Sequence, residues 1–146
     1  MNENLINMLY NRASRYGSRD VFRYKVIDAK LYNKISWDHL LIDCQKVTRS
    51  LISLGIGFSD NIGIFSENRP EWVMADLGII ANRSVVVPFY ATSSKQQLKY
   101  IADETKMKLI FVGNSEQYEK ALWLLENTGT LKKIVVFDPD ITSNNE

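Results

Sequence analysis

Residues 113–115 are the part of this sequence best suited to binding an anion. Gly113, Asn114 and Ser115 lie between a predicted strand and a predicted helix. The free N–H groups at the start of a helix can bind an anion, and an Asn or Ser side chain can cap the same groups. The residue types favour capping by Asn114 or Ser115, and anion binding stays open as the alternative.

The other reactive side chains give little support for metal binding or nucleophilic catalysis. His39 and Cys44 are the only histidine and cysteine, and they lie five residues apart on different faces of one predicted helix. We expect Cys44 to be a small core residue and predict no Ser/His/Asp triad. Asp138 and Asp140 could bind a metal after the last strand, but Pro139 between them indicates a turn. The sequence therefore predicts no catalytic residue and no metal site in this chain.

The sequence ENRPEW, residues 67–72, predicts the start of a helix. We expect Asn68 to accept a hydrogen bond from the new helix, and Glu71 to complete a capping box three residues on. Pro70 suits the first turn because its missing N–H costs nothing there. The pattern is that of a well-capped helix and does not by itself indicate a catalytic site.

Composition and charge exclude several classes of protein. The chain has 146 residues, 45% of them hydrophobic, and a formal net charge of +1, and no short stretch concentrates Lys and Arg. We therefore expect one domain with a real core and no nucleic-acid partner. A single cysteine and the lack of an apolar signal segment suit the cytoplasm. No run approaches the roughly 18 apolar residues of a membrane span, so no transmembrane segment is expected.

Apolar patterns divide the chain into a first helix, a hairpin, and strands that alternate with helices. Ser36 starts the longest predicted helix, Gly55 ends it, and residues 28–30 are the predicted hairpin turn. Short β-branched runs predict strands at 61–65, 84–89, 108–112 and 133–137, separated by helices at 70–82, 94–104 and 115–126. The predicted class is α/β, with a mainly parallel, doubly wound sheet behind an N-terminal helix and an antiparallel hairpin.

These elements predict one α/β unit over residues 1–146. Its parts are a helix and hairpin (1–36), a β-α repeat region (37–138) and a polar tail (139–146). A strand so close to the end of the chain suits a natural terminus and a truncated larger domain equally well.

Several motifs occur in an order that is more specific than any one of them. They are SWDHL, SLGIGFSDNIGIFSENRPEW, ADLGIIANRSVVVPFYATSS and LKYIADETKMKLIFVGNSEQYEK. In order and spacing they resemble the start of adenylate-forming acyl-CoA synthetases, over residues 8–138. ENRPEW and VPFYATSS look most like the long-chain fatty-acid branch of that family. His39 stands where the family usually has Glu, and Ser59 where it usually has Gly, but both positions look structural.

The resemblance also shows which family motifs this chain lacks. The Ser/Thr/Gly-rich phosphate loop ending in Pro-Lys-Gly, the adenine-binding aromatic motif, the hinge Asp and the C-terminal catalytic Lys do not occur. In the family they come later, in a much longer protein, which we call the parent enzyme. We expect this chain to be the leading part of such an adenylation domain, that is, a partial N-terminal domain of the adenylate-forming fold, inactive on its own.

The resemblance implies a two-step ligase reaction for the parent enzyme. A fatty carboxylate attacks the α-phosphate of Mg-bound ATP, and the thiol of coenzyme A then displaces AMP from the acyl-adenylate. ATP, Mg²⁺ and coenzyme A are therefore the implied cofactors, and none is expected to bind tightly to this segment. In related acetate-activating ligases the loop matching Tyr90, Ala91 and Thr92 lies near the coenzyme A nucleotide, although those relatives carry glycines where this chain has Ala91 and Thr92. We expect Trp37 and Trp72 to be packing anchors.

Two other functions compete with this interpretation. The chain could be a free-standing nucleotide- or anion-binding α/β module that uses the Gly113 turn, or a non-catalytic interaction domain that pairs through its hairpin or a sheet edge. Truncation would expose apolar surface, so self-association is expected. The expected location is the cytoplasm, with the parent enzyme peripheral at a membrane.

Overall fold

The computed structural model describes residues 4–25 and 31–141, and these residues confirm the predicted α/β class. The helices are α1 Leu5–Tyr16, α2 Trp37–Ser53, α3 Pro70–Ala81, α4 Lys95–Thr105 and α5 Ser115–Asn127. The strands are β1 Asp20–Lys25, β2 Tyr32–Ser36, β3 Asn61–Phe65, β4 Val85–Phe89, β5 Leu109–Val112 and β6 Lys133–Val136. The predicted hairpin turn at residues 28–30 lies outside the described residues.

The strands form two sheets, as the patterns predict. Strands β1 and β2 pair antiparallel, and the other four form a parallel sheet in the order β4-β3-β5-β6. Ile62 of β3 lies opposite Val86 on one side and Leu109 on the other. Because the four strands are parallel, the loops that follow them meet at one edge of the sheet.

Helices cover both faces of the parallel sheet, which confirms the doubly wound arrangement. One buried cluster joins the sheet to α4 and α5, and it includes Phe65, Phe89, Leu98 and Leu124. The other joins it to α2 and α3, and it includes Leu51, Ile64, Ala75 and Ile79. Burial on both faces explains why the central strands β3 and β5 are continuously apolar and do not alternate.

Helix α2 ends where the sequence predicts, at a left-handed glycine. Gly55 has a φ of 77°, and its N–H donates to the carbonyl of Ile52 at 3.0 Å. The next N–H, of Ile56, reaches back to the carbonyl of Leu51 at 2.9 Å. This pair of bonds is a Schellman motif, and Leu51 and Ile56 bury together beneath it.

The predicted cap of α3 is wrong. Arg69, with extended backbone (φ −155°, ψ 160°), is the N-cap residue, and no side chain caps the helix. Asn68 is exposed, and Glu71 accepts a hydrogen bond from Arg69 Nε at 2.8 Å in place of closing a capping box. The reason lies in Pro70, which takes the first helical position as predicted and forces the residue before it out of the helical region.

Candidate functional site

The carboxyl edge of the parallel sheet gathers four loops, and it is the candidate functional site. The loops begin after β3 at Ser66, after β4 at Tyr90, after β5 at Gly113 and after β6 at Phe137. Open α/β sheets bind ligands at this edge because the strand ends and helix starts leave polar backbone groups there. The side-chain contacts between these loops decide what the edge can bind.

Gln117, in the first turn of α5, is the central side chain of this edge. It is 1% exposed, and its Oε1 accepts hydrogen bonds from the N–H groups of Gly113 at 3.0 Å and Asn114 at 3.1 Å. Its Nε2 donates to the carbonyl of Ala91 at 3.5 Å. One buried amide therefore joins the β5–α5 turn to the loop after β4.

Capping by Asn114 is confirmed. Its Oδ1 accepts a hydrogen bond from the backbone N–H of Gln117 at 2.9 Å, which completes a reciprocal capping box. The N–H groups of Gly113 and Asn114 are thus already paired with Gln117, and the Gly113 turn does not favour the anion-binding module. The sequence carried the signal for the box, an Asn followed three residues later by Gln, but nothing in it indicated that Gln117 is buried.

Arg69 connects three of the four loops. Its Nη1 donates to the carbonyl of Gly113 at 2.9 Å, and its Nε pairs with Glu71 at 2.8 Å. Its guanidinium carbon lies 5.6 Å from the ring centroid of Phe137, the residue that follows β6. That ring in turn stacks on Phe111 at a centroid distance of 5.5 Å. Arg69 therefore orders the edge from within and does not project into solvent as a free cation.

A cleft of about 400 Å³ opens between the loops after β3 and β4. Its lining residues are Ser66, Glu67, Asn68, Trp72, Phe89, Tyr90 and Ala91. Tyr90 is 87% exposed, Ala91 is half-buried and Thr92 is exposed. Glu67 is held at the cleft by Asn114, whose Nδ2 donates to its Oε1 at 2.8 Å. The size suits part of a small organic ligand.

The two tryptophans pack as expected. Trp72 contacts the buried cluster under α3 and also lines the cleft. Trp37 packs against the small cluster of α1 and α2, with its ring centroid 6.3 Å from that of Tyr16.

The other reactive residues bring no catalytic group to this edge: His39 and Cys44 lie on α2, and Asp138 and Asp140 lie in the loop after β6. His39 is exposed, and its backbone N–H donates to Ser36 Oγ at 3.2 Å. Cys44 is a buried core residue as predicted, and burial raises the pKa of its thiol to about 12. Asp138 accepts a hydrogen bond from the N–H of Asp140 at 3.1 Å, which confirms the predicted turn. Over residues 4–25 and 31–141, no group of three His, Cys, Asp or Glu side chains could hold a metal ion.

The longest helix within residues 4–25 and 31–141, α2, has 17 residues. None of the helices there is both long enough and apolar enough to cross a membrane.

Comparison with protein families places most of the chain in one group. The family model described as AMP-binding enzyme matches residues 9–145. Fatty acyl-CoA synthetase A of Dictyostelium discoideum is 32% identical over 108 residues, which cover 74% of this chain and 16% of that protein. Long-chain-fatty-acid–CoA ligase ACSBG1 of Rattus norvegicus is 27% identical over 130 residues, or 89% of this chain and 18% of the ligase. The chain thus spans less than a fifth of either relative.

Solved structures share the fold. An anthranilate CoA ligase, AuaEII, in complex with anthranoyl-AMP superposes with a TM-score of 0.85 at 16% identity, over 97% of this chain and 26% of that one. A long-chain-fatty-acid-CoA ligase, FadD1, from Archaeoglobus fulgidus superposes with a TM-score of 0.82 at 16% identity, over 98% of this chain and 29% of that one. At such identities the likeness concerns the fold.

Proposed function

This chain belongs to the AMP-binding enzyme family, and we propose that it forms the leading α/β segment of an ATP-dependent long-chain fatty-acid–CoA ligase. The observation that carries the proposal is the family match over residues 9–145, joined by relatives whose names are fatty acyl-CoA synthetase and long-chain-fatty-acid–CoA ligase. In the proposed reaction, fatty acid, ATP and coenzyme A give acyl-CoA, AMP and pyrophosphate through an acyl-adenylate.

The role proposed for this chain is to build one wall of the site. Gln117 and Arg69 hold the loops of the carboxyl edge in place, and the cleft beside Tyr90 and Ala91 stays open. The N–H groups of Gly113 and Asn114 are already paired with Gln117, and the described residues contain no group of three His, Cys, Asp or Glu side chains that could hold a metal ion. We propose that ATP and Mg²⁺ bind against the rest of the ligase, because this chain lacks the Ser/Thr/Gly-rich phosphate loop that ends in Pro-Lys-Gly.

We propose that Tyr90, Ala91 and Thr92 lie beside the nucleotide of coenzyme A. Tyr90 is 87% exposed at the end of a parallel strand, so its ring is free to stack on an adenine base. The turn that carries it is ordered by a hydrogen bond from the N–H of Ser93 to the carbonyl of Tyr90 at 2.9 Å, and by Gln117 beneath Ala91.

Two further proposals concern the surroundings of the chain. Exposed apolar side chains, among them Ile52, Phe58 and Val85, support self-association of the isolated segment. The proposed location of the parent enzyme is the cytoplasm, with peripheral contact to a membrane.

The 146-residue chain and the complete ligase are expected to differ in ligase activity. The coding sequence beyond codon 146 is expected to contain a Ser/Thr/Gly-rich loop ending in Pro-Lys-Gly, and its complete product to form palmitoyl-CoA from palmitate, ATP and coenzyme A. The purified 146-residue chain is expected to release no AMP or pyrophosphate, because positioning and charge stabilisation of the reacting phosphate need the missing groups. AMP release by the short chain, or a complete product without thioester formation, would contradict the proposal.

Replacing Tyr90 in the complete ligase tests the coenzyme A assignment. For Tyr90→Ala we expect the KM for coenzyme A to rise about fivefold to tenfold, from the loss of one stacking contact, and the KM for ATP to stay unchanged. Tyr100→Ala is the matched control, since Tyr100 is 69% exposed on α4 and lines no part of the cleft. Equal effects of the two variants would remove Tyr90 from the coenzyme A site.

A further inference from the structure

Three arginines converge on one tyrosine at the end of α1. The guanidinium carbons of Arg12, Arg15 and Arg19 lie 5.7, 5.4 and 5.7 Å from the ring centroid of Tyr16. Nη1 of Arg12 also donates to the Tyr16 hydroxyl at 3.2 Å. In sequence these arginines are spread over eight positions and form no basic run. The helix and the turn after it bring them together around one ring.

The carboxylates nearby do not balance these charges. In the described part of the chain, no Asp or Glu side chain forms an ion pair with any of the three arginines. The adjoining hairpin adds Arg23 and Lys34, which share the single carboxylate of Asp20 at 3.0 and 3.3 Å. Asp38 lies beside the turn after α1, with its Oδ2 3.3 Å from where a Cβ on Gly17 would stand.

This end of the molecule is therefore basic although the chain as a whole carries only +1. Among the described residues named here, five cations stand against the two carboxylates of Asp20 and Asp38. Because no described carboxylate pairs with Arg12, Arg15 or Arg19, an anion near their guanidinium groups is favoured.

The same flank of α1 presents apolar side chains to solvent. Leu5, Met8, Arg12 and Arg15 follow one another at spacings of three and four residues, which places them in one row along the helix. Leu5 is 41% exposed and Met8 is 37% exposed, whereas Leu9 and Ala13 turn inward and are buried. The row is thus apolar at its start and basic at its end. None of its four side chains belongs to a buried cluster of the described residues.

We propose that this arginine flank, made of Leu5, Met8, Arg12, Arg15 and Arg19, docks on a membrane surface that carries anionic phospholipids. Guanidinium groups bind phosphate oxygens in pairs, and exposed Leu and Met side chains enter the boundary between headgroups and acyl chains. The row lies along the outside of a helix, a shape that suits a flat surface better than a small anion. The arginine flank would be the surface through which the peripheral membrane contact proposed above forms. This proposal does not depend on ligase activity.

Sedimentation with lipid vesicles tests the proposal on the 146-residue chain without ATP or fatty acid. We expect binding to phosphatidylcholine vesicles that contain about one third phosphatidylserine, and little binding to phosphatidylcholine alone. Each arginine near an anionic surface contributes about a fivefold factor in partitioning, so replacing Arg12, Arg15 and Arg19 together with Gln weakens binding about 100-fold. Binding by the unmodified chain is also expected to fall as sodium chloride screens the charges.

Control variants distinguish vesicle binding through the arginine flank from vesicle binding that depends only on the net charge of the chain. The matched control replaces Lys106, Lys132 and Lys133, all exposed, with Gln and is expected to keep its binding. A triple Arg→Lys variant of the flank is expected to keep most of it, and the helical circular dichroism signal checks folding. If the triple Gln variant does not fold, Arg15→Gln alone with the salt titration replaces it.

Three results would overturn the proposal. They are equal binding to neutral and anionic vesicles, an equal loss in the lysine control, and release of the chain from vesicles by saturable binding of free pyrophosphate. The last result would make the flank a site for small anions. Because the assay needs no ligase substrate, failure of this proposal and failure of the proposed reaction can be told apart.

Discussion

Replacing Gln117 with Ala is expected to lower the free energy of unfolding by about 3–4 kcal/mol, the larger of the two expected effects on stability. The side chain is 1% exposed, and its amide accepts from two backbone N–H groups and donates to the carbonyl of Ala91. The variant leaves the Asn114 N–H and the Ala91 carbonyl without this partner and opens a cavity under the loop. Urea denaturation followed by tryptophan fluorescence measures the loss.

Gln97 provides a matched control in the same chain. It occupies the same third position of a capping box in α4, where its Oε1 accepts from the N–H of Ser94 at 2.8 Å, but it is exposed. Gln97→Ala is therefore expected to cost only about 0.5–1 kcal/mol, the value of a cap on a solvated helix. Equal losses in the two variants would show that Gln117 acts only as a cap and does not join the loops.

Hydrogen exchange locates the effect of Gln117→Ala within the molecule. We expect faster exchange of the amides of Asn114 and of residues 91–93, because the buried amide that joins these two loops is gone. Exchange in α2, on the other face of the sheet, is expected to follow the global loss of stability only.

Gly113→Ala is expected to destabilise the chain by about 2–3 kcal/mol through overpacking. A Cβ at this position would lie 2.8 Å from Gln117 Oε1 and 2.9 Å from Ser66 Cβ, distances that real Cβ contacts do not show. The backbone cannot retreat easily, because the Gly113 N–H donates to the Phe65 carbonyl at 3.2 Å and its own carbonyl accepts from Arg69 at 2.9 Å. At about 3 °C per kcal/mol, the melting temperature is expected to fall by about 6–9 °C.

Gly129→Ala controls for the change of residue type. A Cβ at Gly129 would meet no atom within 4 Å, so this variant is expected to stay within about 0.5 kcal/mol of the parent or to gain slightly from reduced freedom of the unfolded chain. If Gly113→Ala melts like Gly129→Ala, the close approach of the β3 and β5 loops is not needed for stability. Combining Gly113→Ala with Gln117→Ala is expected to cost less than the sum, because the second change removes one of the clashing atoms.

Local chemistry made most of the fold predictable. Gly55 ends α2 as expected because a residue with positive φ closes the helix with bonds to carbonyls only three and five positions back. The central strands β3 and β5 were predictable because burial on both faces leaves a continuous apolar run. Each of these signals is contained within a few neighbouring residues.

One local signal pointed to the wrong residue. Asn68 and Glu71 have the spacing of a capping box, but Pro70 between them sets the backbone of Arg69 and moves the cap by one position. The backbone constraint of Pro70 thus prevailed, although Asn68 is the better capping residue by type.

By itself the sequence determined the α/β class, the approximate helix and strand positions, and a cap of α5 by Asn114 or Ser115. Through the order of its motifs it also determined the resemblance to a family that the comparison shows. Only the tertiary structure decided that Gln117 is buried, that Arg69 reaches Gly113 across 44 positions, and that three arginines surround Tyr16. The physical reason is the range of the interactions. Caps and periodicity depend on neighbours within about one helical turn. Contacts between loops depend on the order in which parallel strands pair, which no single segment encodes.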